Sequence, residues 1–194
     1  MPLFPNSIYH IYNQGNNKER IFIETADYQR FTEKLRFWLK PNCDLLAFCL
    51  MPNHFHILIQ TNEKSLESIK IGSLNLTLLS NGIRLLLSEY AQEFNKKYKR
   101  TGSLFRQKTK YKLVDNGDPK YIKQVFKYVL ANPLEAKMVS NLKNWTHSSF
   151  LDQLNENEGG VCDLKISKEV FQYTNTDLED IANGYDDILY LKDF

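Results

Sequence analysis

Apolar and polar residues fall into runs of two different periods along this chain. Residues 7–14 (SIYHIYNQ) are β-branched and aromatic and predict a strand, closed by the turn residues Gly15-Asn16-Asn17. The period then lengthens. Phe31, Leu35 and Trp38 recur at helical spacing, so residues 26–40 predict a helix with Thr25 as N-cap and Pro41-Asn42 as its end. Apolar runs at 45–50 and 55–59 predict two strands joined at Pro52-Asn53, because proline offers no N–H to a ladder and asparagine accepts turn dihedrals. Residues 62–73 read as loop. Leu79, Ile83, Leu86, Tyr90 and Phe94 predict a long helix over 74–99, which Asn81-Gly82 is placed to interrupt and Thr101-Gly102 closes. A fourth strand follows at 109–114. Asp118-Pro119, an acid at N-cap before a proline at the first helical position, starts a helix expected to run to Ala131 and stop near Asn132-Pro133.

The order is β-α-β-β-α-β followed by one more helix. It predicts an α+β fold of ferredoxin-like or RRM-like type, an antiparallel sheet with helices on one face, to which the last helix is added. Residues 1–150 form the expected domain. The break NENEGG at 155–160 sets off residues 151–194 as a C-terminal extension, with isolated apolar groups at Val170, Phe171, Ile181, Ile188, Leu189 and Tyr190.

Charge sharpens that division. The net charge of +2 hides 22 Lys/Arg against 12 Asp/Glu in residues 1–150, and 3 against 11 in residues 151–194. A basic body with an acidic extension suits a polyanionic partner, although a solvated surface would look the same. The apolar content of 42% argues against disorder. No apolar run reaches membrane-spanning length and the N-terminus lacks a signal-peptide pattern, so no membrane partner and a cytoplasmic setting are expected. Cys43, Cys49 and Cys162 form no CxxC, which indicates neither a disulfide framework nor a zinc finger.

Candidate chemistry centres on MPNHFHILIQ (51–60), which carries two of the four histidines. On a strand, His54 and His56 point the same way, about 6–7 Å apart, and can share one metal ion. A third ligand must come from elsewhere. His10, in the first strand, reads as a core or sheet-face histidine. In the helix beginning at 118, Ile122, Val125, Phe126, Val129 and Leu130 form the apolar stripe. Tyr128 and Asn132, four apart, stand together at its edge, with Tyr121 and Gln124 beside them. Such a helix packed on the sheet would present a tyrosine hydroxyl and an amide oxygen together. A tyrosine merely snorkelling from an amphipathic helix is the plain alternative.

Met51-Pro52-Asn53-His54-Phe55-His56 resembles the His-hydrophobe-His (HUH) motif of the single-tyrosine transposases of bacterial insertion sequences. Four further blocks agree in order: Tyr9-His10 with Asn13-Gln14-Gly15; Phe94-Asn95-Lys96-Lys97-Tyr98 with Thr101-Gly102-Ser103-Leu104-Phe105; Lys127-Tyr128 with Ala131-Asn132-Pro133-Leu134-Glu135-Ala136; and Trp145-Thr146-His147-Ser148-Ser149-Phe150. The third of these is similar to the REP-associated form of the family. The resemblance covers residues 5–150. It implies a transposase-type single-stranded DNA endonuclease and strand-transferase acting near a hairpin. Tyr128 would be the nucleophile, and His54, His56 and Asn132 would hold one Mg²⁺ or Mn²⁺. The products would be a 5′-phosphotyrosine and a free 3′-OH. It also implies a bacterial, nucleoid-associated setting and either a homodimer or a monomer. Gln14 and Gln107 stand where the family often has arginine, which bears on DNA contacts and not on the metal or the nucleophile.

Between Lys96 and Lys112 there are eight basic residues and no acid. Lys96, Lys97, Lys99, Arg100, Arg106, Lys108, Lys110 and Lys112, interleaved with Phe105 and other aromatics, predict a surface for single-stranded or hairpin DNA. Tyr121 with Gln124 is the alternative nucleophile and ligand. Two other functions compete: a non-catalytic nucleic-acid-binding relative, and a His-x-His metal hydrolase, which ordinarily wants a third histidine or a carboxylate.

Overall fold

The computed structural model describes residues 3–115 and 117–184. Strands β1 (Ile8–Gln14), β2 (Asp44–Met51), β3 (His54–Gln60) and β6 (Lys110–Leu113) form one sheet in the order β2-β3-β1-β6. Every pair is antiparallel. The expected α+β architecture is the one observed. β1 sits between β3 and β6, and its register sorts the side chains. Tyr9, Ile11 and Asn13 lie opposite Ile59, Ile57 and Phe55; His10, Tyr12 and Gln14 lie opposite Leu58, His56 and His54. The first set faces helices α1 (Thr25–Lys34) and α2 (Leu78–Lys97), where Phe31 meets Phe55 and Tyr90 at ring separations of 5.2 and 5.0 Å. The second set, carrying the histidines, faces α3 (Pro119–Glu135), which crosses β2 and β3.

Several boundaries differ from those the sequence predicts. The stretch at 62–73 is not simply loop: β4 (Ser68–Ile71) and β5 (Leu74–Thr77) make a separate hairpin turning at Gly72, whose φ of +59° suits glycine. α2 therefore starts later than expected, at Leu78, capped by the Thr77 hydroxyl. α1 is capped by Glu24 rather than Thr25, in a reciprocal pair with Asp27. Asn81-Gly82 does not interrupt α2. Gly82 lies where the helix crosses the chain at Trp38, and a Cβ there would sit 2.5 Å from the Trp38 carbonyl oxygen.

α3 runs through Asn132-Pro133 to Glu135 instead of stopping before them. Pro133 removes one N–H, and the orphaned carbonyl is that of Val129. The Asn132 amide lies 3.5 Å from it, and burial of Leu130, Ala131 and Pro133 holds the turn in place. Beyond residue 150, α4 (Phe150–Asn155), α5 (Leu164–Phe171) and α6 (Asn175–Asn183) pack on the body. Phe171 and Tyr173 stack on Phe126 of α3 at 4.4 and 4.9 Å, and Asp163 N–H donates to the Leu45 carbonyl at 2.7 Å. Ile188, Leu189 and Tyr190 lie outside the described residues.

Candidate active site

The turn at Pro52-Asn53 is strapped in place from two sides. Gly15 N–H donates to the Asn53 carbonyl at 2.8 Å, and Ile21 and Phe22 N–H both donate to the Pro52 carbonyl. A Cβ on Gly15 would lie 2.1 Å from the Glu19 carbonyl oxygen, so only glycine lets the chain turn this tightly beside His54. The loop before β6 is tied to the same end of the sheet: Asn16 N–H reaches the Leu104 carbonyl, Arg106 N–H reaches the Gln14 carbonyl, and the Asn13 amide reaches the Arg106 carbonyl. These bonds bring the basic loop to the mouth of the histidine pair.

A cavity of about 290 Å³ opens there. Tyr12, Asn13, Gln14, His54, His56 and Tyr128 line it, together with Arg106, Lys108 and Lys110. No Asp or Glu is among its described lining residues. The His54 and His56 rings stand perpendicular with centroids 5.0 Å apart, and the Tyr128 ring meets His56 edge-on at 5.7 Å. Asn132, one helical turn on from Tyr128, is buried and does not line the cavity, but its side chain acts on both His54 and His56. Its Nδ2 donates back to the Tyr128 carbonyl at 2.8 Å, which leaves Oδ1 as the amide atom for the histidines.

Electrostatics follow from burial. His54 and His56 are both held below the ordinary imidazole pKa by desolvation, His56 well below it with the nearby His10 and His54 adding to the effect; the Asn132 side chain pulls both part of the way back. Desolvation, assisted by Lys112, takes His10 down to about 3. Burial raises the Tyr128 phenol above 10, against a lowering by Asn132. At neutral pH the imidazoles are therefore uncharged bases and the tyrosine keeps its proton. Among the described residues no three His, Cys, Asp or Glu side chains are arranged to hold a metal ion by themselves. Two neutral imidazoles and a neutral amide oxygen nonetheless fit a hard or borderline divalent cation, which keeps its full charge in such a site.

The candidate residues are thus sorted. His54, His56, Tyr128 and Asn132 come together, and Arg106, Lys108 and Lys110 join them at the cavity. Tyr121 and Gln124 lie further back along α3 and do not line it; the Gln124 Oε1 is buried with no hydrogen-bond partner among the described residues. Phe105 is not presented to solvent as the sequence reading expects of a base-stacking aromatic: it is only 7% exposed, and its ring packs on Phe55 and Tyr90. Lys97 is bound to Asp27 at 2.6 Å and Glu24 at 2.7 Å, and Arg100 pairs with Glu19, so both are engaged within the body. Lys96 and Lys99 are exposed at the end of α2, and Lys112 lies opposite His10 on β6. His10 is fully buried on the sheet face, as the sequence reading has it; its place beside His56, and Tyr12 with it, are what that reading did not single out. His10 and Tyr12 share the histidine face, and His10 Nε2 lies 2.8 Å from His56 Nδ1. The alternation in β1 puts 10 and 12 on one face, but only the register shows that this face is the one carrying His56.

The family model described as "Transposase IS200 like" matches residues 4–132. A protein of Haemophilus influenzae, provisionally named a REP-associated tyrosine transposase, is 26% identical over 135 residues, which cover 66% of this chain and 73% of its own. A solved structure described as a REP-associated tyrosine transposase bound to a REP hairpin superposes with a TM-score of 0.57 at 14% identity, covering 83% of this chain and 87% of that one. That likeness is one of fold. A bacterial tRNA(His) guanylyltransferase-like protein in complex with GTP superposes at a TM-score of 0.43 and 12% identity, over 70% and 67% of the two chains.

Proposed function

The chain belongs to the IS200-like transposase family, and from that premise we propose that it is a single-stranded DNA endonuclease and strand-transferase whose nucleophile is Tyr128. The observation that carries this reading is the convergence of Tyr128, His54 and His56 on one basic cavity, with the Asn132 side chain acting on all three. DNA hairpins of the kind bound by the REP-associated neighbour are the substrate class we assign, with the cleaved strand entering the cavity single-stranded.

Arg106, Lys108 and Lys110 bind the phosphates that flank the scissile bond and orient that bond toward Tyr128. The tyrosine Oη attacks phosphorus in line, the bond to the 3′-oxygen breaks, and the 5′-phosphate stays on the enzyme as a tyrosyl ester. The phenol proton goes to solvent, and the 3′-oxygen leaves as a hydroxyl. Because one phosphoester replaces another, a second 3′-hydroxyl can reverse the step and join strands. His54 and His56 through ring nitrogens and Asn132 through Oδ1 would hold a divalent cation, Mg²⁺ or Mn²⁺, which when bound supplies Lewis-acid polarisation of the phosphate and stabilises the leaving oxygen. We assign this chemistry to residues 1–150; the described part of the extension, through residue 184, acts as support for α3.

Covalent trapping tests the reading. Labelled single-stranded hairpins from the flanks of the gene, incubated with protein and Mn²⁺ or Mg²⁺, are expected to give a metal-dependent adduct on a denaturing gel. The adduct should vanish in Tyr128→Phe and persist in Tyr121→Phe. Product without an adduct would point to a metal hydrolase, and salt-sensitive binding with neither product nor adduct would point to a non-catalytic binder.

A further inference from the structure

His56 is held by a histidine to which the proposed chemistry gives no task. His10 and His56 are both buried, their rings inclined by only 19° and meeting edge to edge with centroids 5.0 Å apart, and His10 Nε2 lies 2.8 Å from His56 Nδ1. A hydrogen bond between two neutral imidazoles holds one proton and can run either way. If His10 donates, His56 keeps its own proton on Nε2, and that nitrogen is no ligand. If His56 donates, its Nε2 carries a lone pair. The partner histidine has no such choice. His54 Nδ1 lies 2.7 Å from Asn53 Oδ1, and an amide oxygen only accepts, so the proton is on Nδ1 and Nε2 is the basic nitrogen. The two rings are tied through the same atom, and the same atom of each is left over.

We propose that His10 is a positioning residue: its Nε2 accepts the Nδ1 proton of His56, fixing the tautomer in which His56 Nε2 is the donor to a divalent cation, as Asn53 does for His54. The ligand role builds on the metal-assisted reading above; the tautomer does not. Strand register makes the contact. Tyr12 lies opposite His56 and its ring stacks on His10 at 4.8 Å, so the His10 imidazole is packed between Tyr12 and His56 and cannot swing away. Outer partners of this kind set ligand orientation and basicity, and their loss commonly costs ten- to a hundred-fold in metal affinity.

Two measurements on metal-free, DNA-free protein test this. Long-range ¹H–¹⁵N NMR of ¹⁵N-histidine-labelled protein, with His56 assigned by its loss in His56→Ala, should show the His56 proton on Nδ1. A proton on Nε2 overturns the proposal. Titration with Mn²⁺, read by the electron paramagnetic resonance signal of the free ion, should show about ten- to a hundred-fold weaker binding in His10→Phe, which keeps a ring but offers no acceptor. His10→Gln, which presents an acceptor oxygen at similar reach, should recover most of it. His10→Phe binding as tightly as wild type overturns the positioning role. Wild type binding no better than His56→Ala would instead defeat the metal-assisted reading, and the NMR result would still decide the tautomer.

Discussion

At the scale of single residues, Tyr128 and Asn132 carry the sharpest consequences. Burial raises the Tyr128 phenol above its ordinary 10, while the attacking form is the phenolate. The reactive fraction therefore grows as pH rises toward that value. The rate of the first cleavage is expected to climb with pH, by up to about tenfold per unit while the phenol remains protonated. Single-turnover cleavage at saturating metal across the neutral and mildly alkaline range checks this, and a level profile would mean that loss of the phenol proton does not limit the step. Asn132→Ala removes the third donor of the proposed cation site but replaces a poor helix former with a good one. We expect the covalent adduct to fall by ten-fold or more, with unfolding free energy within about 1 kcal/mol of wild type. Gel trapping and denaturant melts separate the two effects. Spacing put His54 with His56, two apart on a strand, and Tyr128 with Asn132, four apart on a helix, each on a common face, but it left Tyr121 and Gln124 open, and only the family resemblance pointed to Tyr128 and Asn132. The sequence placed His10 in the sheet but not beside His56, because that contact arises from a cross-strand register that no local pattern encodes.

The elements show where local signals lose to packing. Proline in a last turn ordinarily ends a helix, yet α3 continues through Pro133 because Leu130, Ala131 and Pro133 itself are buried. The β4–β5 hairpin escaped the periodicity because four-residue strands offer only two residues per face. The helix that carries Tyr128 is held from both sides, by the sheet beneath and by α5 and α6 above. Phe171 is fully buried against Phe126, so Phe171→Ala is expected to cost about 3–5 kcal/mol and to speed amide exchange in α3. Lys123 bonds Asp177 of α6 at 2.9 Å, a partly exposed pair. Burial opposes the charge on Asp177, but Lys123 and Thr174 together hold its pKa down to about 2. The resulting stabilisation is present above about 3.8 and disappears as pH falls toward 2. Asp177→Asn should cost no more than about 1 kcal/mol, so a loss comparable to that of Phe171→Ala would mean that charge, and not the aromatic stack, fastens the extension. Thermal melts of both variants decide between them.

For the whole molecule, the sequence shows how much positive charge the body carries but not how much of it is available. Lys97 and Arg100 read from sequence as part of one basic run with Arg106, Lys108 and Lys110. The fold divides that run. The first two neutralise carboxylates of the segment from Glu19 to Asp27, which fastens the end of α2 to the start of α1, whereas the last three line a cavity with no described acid. Phosphate binding releases counterions in proportion to the charges engaged, so only the second group should register in the salt dependence of DNA affinity. Single-stranded contacts contribute about −0.7 each to the slope of log K against log salt. Arg106→Ala and Lys108→Ala are each expected to weaken hairpin binding and flatten that slope by nearly one contact's worth. Lys97→Ala should leave the slope unchanged and appear instead as a lower melting temperature, since it strips the buried Asp27 of its cation. Fluorescence anisotropy on a labelled hairpin over a range of salt reads both. Equal slope changes from Lys97 and Arg106 would mean that DNA displaces the internal carboxylates, and that the binding surface extends back along α2 beyond the cavity.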